Sequence, residues 1–373
     1  MLLAWFALGI SLFARQQAPQ DTFRDLAQRA AGVLDSDPKQ AADLCRQALA
    51  IDPSWAEGWF DLGAAEYHLG AYQESAKAFE QARTLAPEKG AVWAFLGLTQ
   101  YSLNQLPQAL TSLQRGESLG LPDNRGFVSA AHNTAALIFL RTKDFSEAIE
   151  QLRPLALLGE DSAQTITAFG LAALGLPYLP PDIPAGKRSL VQLAGRAEWA
   201  MTANHDREAA ELLKQLVTQF PREPGVHYLN AMQMLTHDPE VARKELEKEL
   251  QISPAHVAAR LQIAILDIRA DKPASASLLA REALRLQPDN ALGHAVLARA
   301  YMQQDDYNNA LPELQAAAKI APLNPQIHMY LEQVYSRLGN AADAQKEKQE
   351  FVRLRSGRDS LGIAEMSPAG SKQ

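Results

Sequence analysis

Residues 58–87 decide the fold: Gly58-Trp59-Phe60-Asp61-Leu62-Gly63, then Gly70-Ala71-Tyr72, then Ala76, Phe79, Ala82 and finally Pro87. The apolar and small residues recur at intervals of three and four on either side of the Gly70-Ala71 break. That periodicity places one face of a helix on each side of the break. Glycine at the break and proline at the end punctuate the pattern, because neither sustains a helix. The stretch therefore predicts a helical hairpin, with Gly63 and Ala82 small enough to let its two helices approach.

The hairpin repeats. Pro53 and Pro87 are 34 residues apart, as are Pro254 and Pro288, and Pro288 and Pro322. Alanine stands five residues before four of these prolines (Ala48, Ala82, Ala283, Ala317), and twelve before them there is usually another (Ala41, Ala276, Ala310). Breaks such as LNQLP, TKDFS and QDDYN fall between two helical stretches in each period. A lone hairpin cannot bury its apolar face, so copies at a fixed period imply stacking.

These residues resemble the tetratricopeptide repeat. Trp59 matches that family's first-helix aromatic, Leu62-Gly63 its Leu-Gly pair, Phe79 and Ala82 its second-helix pair, and Pro87 its closing proline. Trp93, Leu96, Gly97, Ala109 and Leu113 repeat the frame, and so do Leu297, Tyr301, Ala310, Ala317 and Pro322. Leu331, Tyr335, Gly339 and Ala344 follow it again. The resemblance implies an all-α, right-handed superhelical solenoid of antiparallel helix pairs, about eight to nine repeats long. The expected repeats are 22–55, 56–89, 90–123, a degenerate 125–158, then 190–222, 223–256, 257–290 and 291–324, closed by a capping pair at 325–356. Later repeats depart from the motif: Arg260, His294 and His328 stand where Trp59 and Trp93 stand earlier.

The period fails at 159–187. TITAFGLAAL resembles a first helix, but GLPYLPPDIPAG, with Pro177, Pro180, Pro181 and Pro184, follows where its partner should be. The segment is expected either to bridge an N-terminal array (22–158) and a C-terminal array (188–356) or to protrude as a contact loop exposing Tyr178 and Leu179. At the amino terminus, residues 2–14 (LLAWFALGISLFA) carry no charge, which suits the apolar region of a secretory signal peptide spanning 1–14, with 15–21 as linker. An uncleaved anchor or a plain amphipathic helix are the other readings. Residues 357–373 read as a polar, disordered tail.

Composition bounds the chemistry. The chain has 373 residues, 36 Lys+Arg against 43 Asp+Glu, and one cysteine. The formal charge of −7, with both signs interspersed, argues against nucleic acid as a partner. A single Cys45 excludes an intramolecular disulfide and is expected to be a buried structural thiol. No phosphate-binding, metalloprotease, nucleophile-elbow or CxxC motif occurs, and the eight histidines are scattered. Acidic pairs such as Asp305-Asp306 and Glu247-Glu249 are expected at turns or on solvated faces. No metal, cofactor or catalytic residue is expected.

The resemblance implies that first helices line a concave groove. Carried over by repeat position, the candidate binding residues are Phe60, Tyr67, Leu98, Tyr101, Asn133 and Arg141 in the first array. In the second they are His227, Met234, Arg269, Arg299, Met302, Met329 and Arg337. Asp61, Tyr67 and Phe95 occupy sites where some chaperone adaptors of the family clamp a terminal carboxylate, so that activity is not expected. The expected role is a non-catalytic scaffold or adaptor that binds another protein or a peptide segment, in envelope assembly or chaperoning. Its expected location is the periplasm or exterior, or the cytoplasm if the N-terminal segment is not a signal. Membrane contact is expected only through an uncleaved N-terminus. A lipid- or glycan-binding receptor and a regulatory subunit of an enzyme complex are the alternative readings.

Overall fold

The computed structural model describes residues 22–360, so the expectations for residues 1–21 and for 361–373 lie outside the described residues. The described chain is helical throughout. Helices α1 (22–33), α2 (Pro38–Ile51), α3 (Ala56–His68), α4 (Tyr72–Leu85), α5 (Gly90–Ser102), α6 (Leu106–Leu119), α7 (Arg125–Thr142) and α8 (Phe145–Leu157) form four successive hairpins. After α9 (Ala163–Ala173) come two 3₁₀ turns, Pro180–Asp182 and Ala185–Lys187. The hairpins resume with α10 (Arg188–Thr202), α11 (Asp206–Gln219), α12 (Val226–Met234), α13 (Pro239–Ile252), α14 (Val257–Arg269) and α15 (Pro273–Leu286). The last four helices are α16 (Ala291–Met302), α17 (Tyr307–Ile320), α18 (Pro325–Arg337) and α19 (Ala341–Ser360). Helix α19 carries on past residue 356, where the sequence suggested a tail, and runs through Gly357 to Ser360, since a single glycine weakens a helix without ending it. Among the described residues no helix is long and apolar enough to cross a membrane. The chain forms two compact units, one ending at Gly195 and the other beginning at Arg196, inside α10.

The punctuation explains the hairpins. Inside a hairpin the chain turns through a left-handed residue: Gly70, Asn104, Lys143, Asn204, Asp271, Asp305 and Gly339 have φ between 54° and 77°. At the end of a second helix the chain leaves the helical region one residue before the proline. Asp52, Ala86, Ser253, Gln287 and Ala321 all have φ near −130° and each donates its N–H to the carbonyl four residues back. The proline ring forbids the helical conformation to the residue before it, so the same stop recurs in every such repeat.

Cores lie between the two helices of each hairpin and under the next one. The alanines at fixed offsets from the prolines (Ala41, Ala48, Ala82, Ala276, Ala283, Ala310, Ala317) are completely buried. In the first unit a Cβ on Gly63 would stand 2.9 Å from the Phe79 ring, so that ring packs on the bare helix backbone. Phe79 also stacks on Phe95 (5.5 Å between ring centroids), and Phe95 on Phe127 (4.4 Å). Cys45 is fully buried in the cluster of Leu44, Ala48, Leu62 and Ala65, as expected, and burial pushes its thiol up to about 12.

The proline-rich stretch replaces a second helix with a different device. A Cβ on Gly170 of α9 would collide with the carbonyl oxygen of Val191, and one on Gly195 with the carbonyl oxygen of Ile166. Two glycines thus bring α9 and the start of α10 into backbone contact. Tyr178 and Leu179 are half-buried, not exposed, and Ile183 is buried among the turns.

Candidate functional site

Six repeat junctions share one polar contact. Trp59 Nε1 donates to the Pro53 carbonyl (2.9 Å) and Trp93 Nε1 to that of Pro87 (2.8 Å). Where tryptophan is missing, Arg260 donates to Pro254 (2.7 Å), and His227, His294 and His328 donate Nε2 to Pro221, Pro288 and Pro322 (2.9–3.1 Å). The donor always stands six residues after the proline. Each of these histidines also places Nδ1 2.6 Å from a carboxylate of the following helix: Glu245, Glu313 or Glu347. Motif comparison alone reads these positions as lost tryptophans. The constant offset from proline was the signal that they keep one role, because the prolyl carbonyl just past the end of a helix has no intrahelical donor.

The first-array candidates are mostly taken up by packing. Leu98 and Asn133 are buried, 6% and 1% exposed. Asn133 Nδ2 donates to the Ser129 carbonyl (2.9 Å) and to the Thr165 hydroxyl (3.0 Å), across to the next first helix. Phe60 meets Phe79 and Phe95 edge-on at 5.6 and 5.2 Å. Tyr67 and Tyr101 pack on the cluster containing Leu98 and Ile138. Arg141 is exposed but donates to Asn104 Oδ1 (2.8 Å). In the second unit His227 is buried in its junction, and Met234 packs on the Ala231 and Leu246 cluster. The groove expectation is therefore corrected for Leu98, Asn133 and His227, whose side chains are buried within the packing of the hairpins.

The second acidic pair also needs correction. Glu247 is exposed, but Glu249 is completely buried. Its carboxylate accepts the N–H groups of Gly225 (2.8 Å) and Tyr228 (3.3 Å), capping α12 from α13. Asp306 does cap α17 through the Asn309 N–H, as expected.

The remaining candidates converge on α14, α16 and α18. Two clefts of about 420 and 530 Å³ lie along these first helices, and Arg299 and Tyr330 line both. The first is bounded by Met302, Gln303, Tyr307, Gln333 and Arg337, and the second by Arg269, Leu292, Ala295 and Gln326. Both volumes fall in the range of sites that accept side chains or small ligands. Met329 is half-buried on the same helix as Tyr330 and lines neither cleft. Arg299 lies over the Tyr330 ring (5.6 Å to the centroid) and Arg337 over Tyr307 (5.7 Å), which fixes two guanidinium groups without neutralising them. Gln303 Nε2 donates to the Ile268 carbonyl (2.9 Å), pinning the end of α16 to α14. Glu332 is an acid at the rim and accepts from Ser336 Oγ (3.3 Å). Among the described residues no group of three or more His, Cys, Asp or Glu is placed to hold a metal ion.

Sequence profiles described as tetratricopeptide repeat match residues 56–89 and 261–325. No curated protein matches the sequence. Solved structures that resemble part of the fold include "MamA 41-end from Desulfovibrio magneticus RS-1". It is 16% identical, covers 46% of this chain and 98% of its own, and has a TM-score of 0.41. A second, "Crystal structure of MamA protein", is 14% identical over 49% of this chain and 100% of its own, with a TM-score of 0.39. Residues 56–89 and 261–325 thus carry tetratricopeptide repeats, and the same hairpins with their proline stops recur in phase through the helices around them.

Proposed function

We propose that the protein is a non-catalytic scaffold that holds a polypeptide segment against α14, α16 and α18 of its second unit. The observation that carries this reading is the pair of clefts sharing Arg299 and Tyr330. They form a surface with apolar, aromatic and cationic groups side by side, which is the mixture that anchors protein segments. The first-array candidates support the same assignment by contrast, since their aromatic and amide groups are engaged with each other. The rest of the proposal concerns location: the uncharged residues 2–14 support export to the periplasm or exterior.

The test is capture of host proteins by the full chain and by two variants that insert a bulky ring at exposed sites. Gln333→Trp fills the first cleft, whereas Arg285→Trp alters a second helix at a position 74% exposed. Binding lost with Gln333→Trp and kept with Arg285→Trp supports the groove. Equal capture by both rejects it. Fractionation of host cells checks the location separately: a chain confined to the cytosol would end the export proposal and leave the groove reading standing.

A further inference from the structure

We infer that the segment held by this groove is acidic and extended, with carboxylates about three residues apart along one edge. This deepens the proposed function and rests on it. The ground is a charge imbalance. The protein is acidic, −7 formally, and several arginines of the second unit pair with carboxylates. Arg243 pairs with Asp267, Arg260 with Glu282 (3.1 Å) and Arg353 with Glu350. Arg269, Arg299 and Arg337 do not. No carboxylate of the described residues lies within 4.0 Å of any of the three, and all three line the clefts. Glu332 is the one carboxylate in the cleft linings, so a face that sets three cations against one acid is complementary to an anionic partner.

Their arrangement sets the partner's spacing. Arg269, Gln303 and Arg337 are 34 residues apart, so they repeat one position on three successive first helices. Arg299 stands one helical turn before Gln303 on the middle helix. Packed helices lie about 10 Å apart, so Arg269 and Arg337 are separated by about 20 Å. An extended chain advances about 3.3 Å per residue and covers that distance in about six residues. Carboxylates at positions i and i+6 would meet the outer arginines, and one at i+3 would meet Arg299. Tyr330 and Tyr307 hold two of the guanidinium planes, which lowers the ordering cost of bidentate contacts. The aliphatic floor supplied by Leu292, Ala295 and Met302 suits an apolar residue between the acids.

Fluorescence anisotropy with the full chain tests the inference. The probe is a fluorescein-labelled 14-residue peptide carrying Glu at i, i+3 and i+6 with Leu and Ser between. Controls replace Glu by Gln or cluster the three Glu together. Arg269→Glu is the first variant, because that residue is exposed and has no ion pair, and Arg299→Gln and Arg337→Gln follow. Each is expected to raise Kd about fivefold, and all three together about a hundredfold, with circular dichroism unchanged. Raising salt from about 50 to 300 mM is expected to weaken wild-type binding. Equal binding of the Gln peptide, or indifference to the three variants, would overturn the inference. Displacement by inorganic polyphosphate with no preference for Glu spacing would also overturn it and indicate a phosphate site. If the variants still capture host proteins while Gln333→Trp does not, the groove reading survives and only the acidic specificity fails.

Discussion

His294 Nε2 lies 3.0 Å from the carbonyl oxygen of Pro288, six residues earlier, and donates to it. The same histidine faces Glu313 with Nδ1 at 2.6 Å. A carbonyl can only accept, so Nε2 must carry a proton, and the short Nδ1–carboxylate contact needs a second one between its atoms. One side chain thereby ties a helix start, a proline stop and the next helix together. Removing the donor should loosen the junction. His294→Leu is expected to cost about 1–2 kcal/mol in chemical denaturation, the range for losing such a hydrogen bond and leaving its partner unmet. His294→Trp should recover part of that loss, because Trp59 and Trp93 make the same bond. A Leu variant as stable as wild type would remove the junction from the account.

Glu245 carries the corresponding bridge in the most buried of these junctions. Burial works to raise its carboxyl, but hydrogen bonds from His227, Lys248 and Asn230 outweigh it and hold the carboxyl below its usual range. A carboxyl lowered by folding stabilises the fold above its unfolded value near 4.3, and that contribution fades as pH falls through the folded value. Glu245→Gln is therefore expected to be less stable than wild type at pH 7, by about 2 kcal/mol. The two should converge below about pH 4. Parallel denaturation curves at both pH values measure this directly.

Asp61 has the opposite sign. Burial, and then the nearby Glu57, push its carboxyl up from 3.8 to about 6. A raised carboxyl favours the fold in its protonated state, so its contribution is complete below pH 4 and is lost as pH rises through about 6. Asp61→Asn should match wild type at pH 4 and exceed it at pH 7.5, by about 1 kcal/mol. Melting temperatures at the two pH values decide it, and a variant less stable at pH 7.5 would show that the charged form is favoured.

Gly170 and Gly195 hold α9 against α10 where the proline-rich stretch interrupts the hairpins. Gly170→Ala inserts a methyl group into the Val191 carbonyl, which is backbone and cannot swing aside. The expected cost is about 2–3 kcal/mol. Hydrogen exchange should speed up in α9 and in residues 188–195, while α3 to α6 stay protected.

The fold was legible because its signals are covalent and local. Proline stops a helix by its ring and glycine turns one by its bare Cα, so the 34-residue period shows both ends of most hairpins. The groove was only partly legible. Repeat position says which way a side chain leaves its own helix, but not how closely the next hairpin covers it. Arg299 and Arg337 stay open above their tyrosines, whereas Asn133 reaches Thr165 and is sealed. Glu249 was misread for the same reason. Its place beside exposed Glu247 suggested solvent, yet it turns inward to unpaired N–H groups of another helix, 21 and 24 residues away in sequence.

Site-specific photocrosslinking tests the central claim most directly. A photoreactive residue is placed at Met302, inside the first cleft, or at Arg285, on an exposed second helix, and the full chain is irradiated in its native host. The account predicts discrete protein adducts from Met302, abolished by Gln333→Trp, and none from Arg285. Adducts from Arg285 alone, or adducts from Met302 that persist when the cleft is filled, would contradict it.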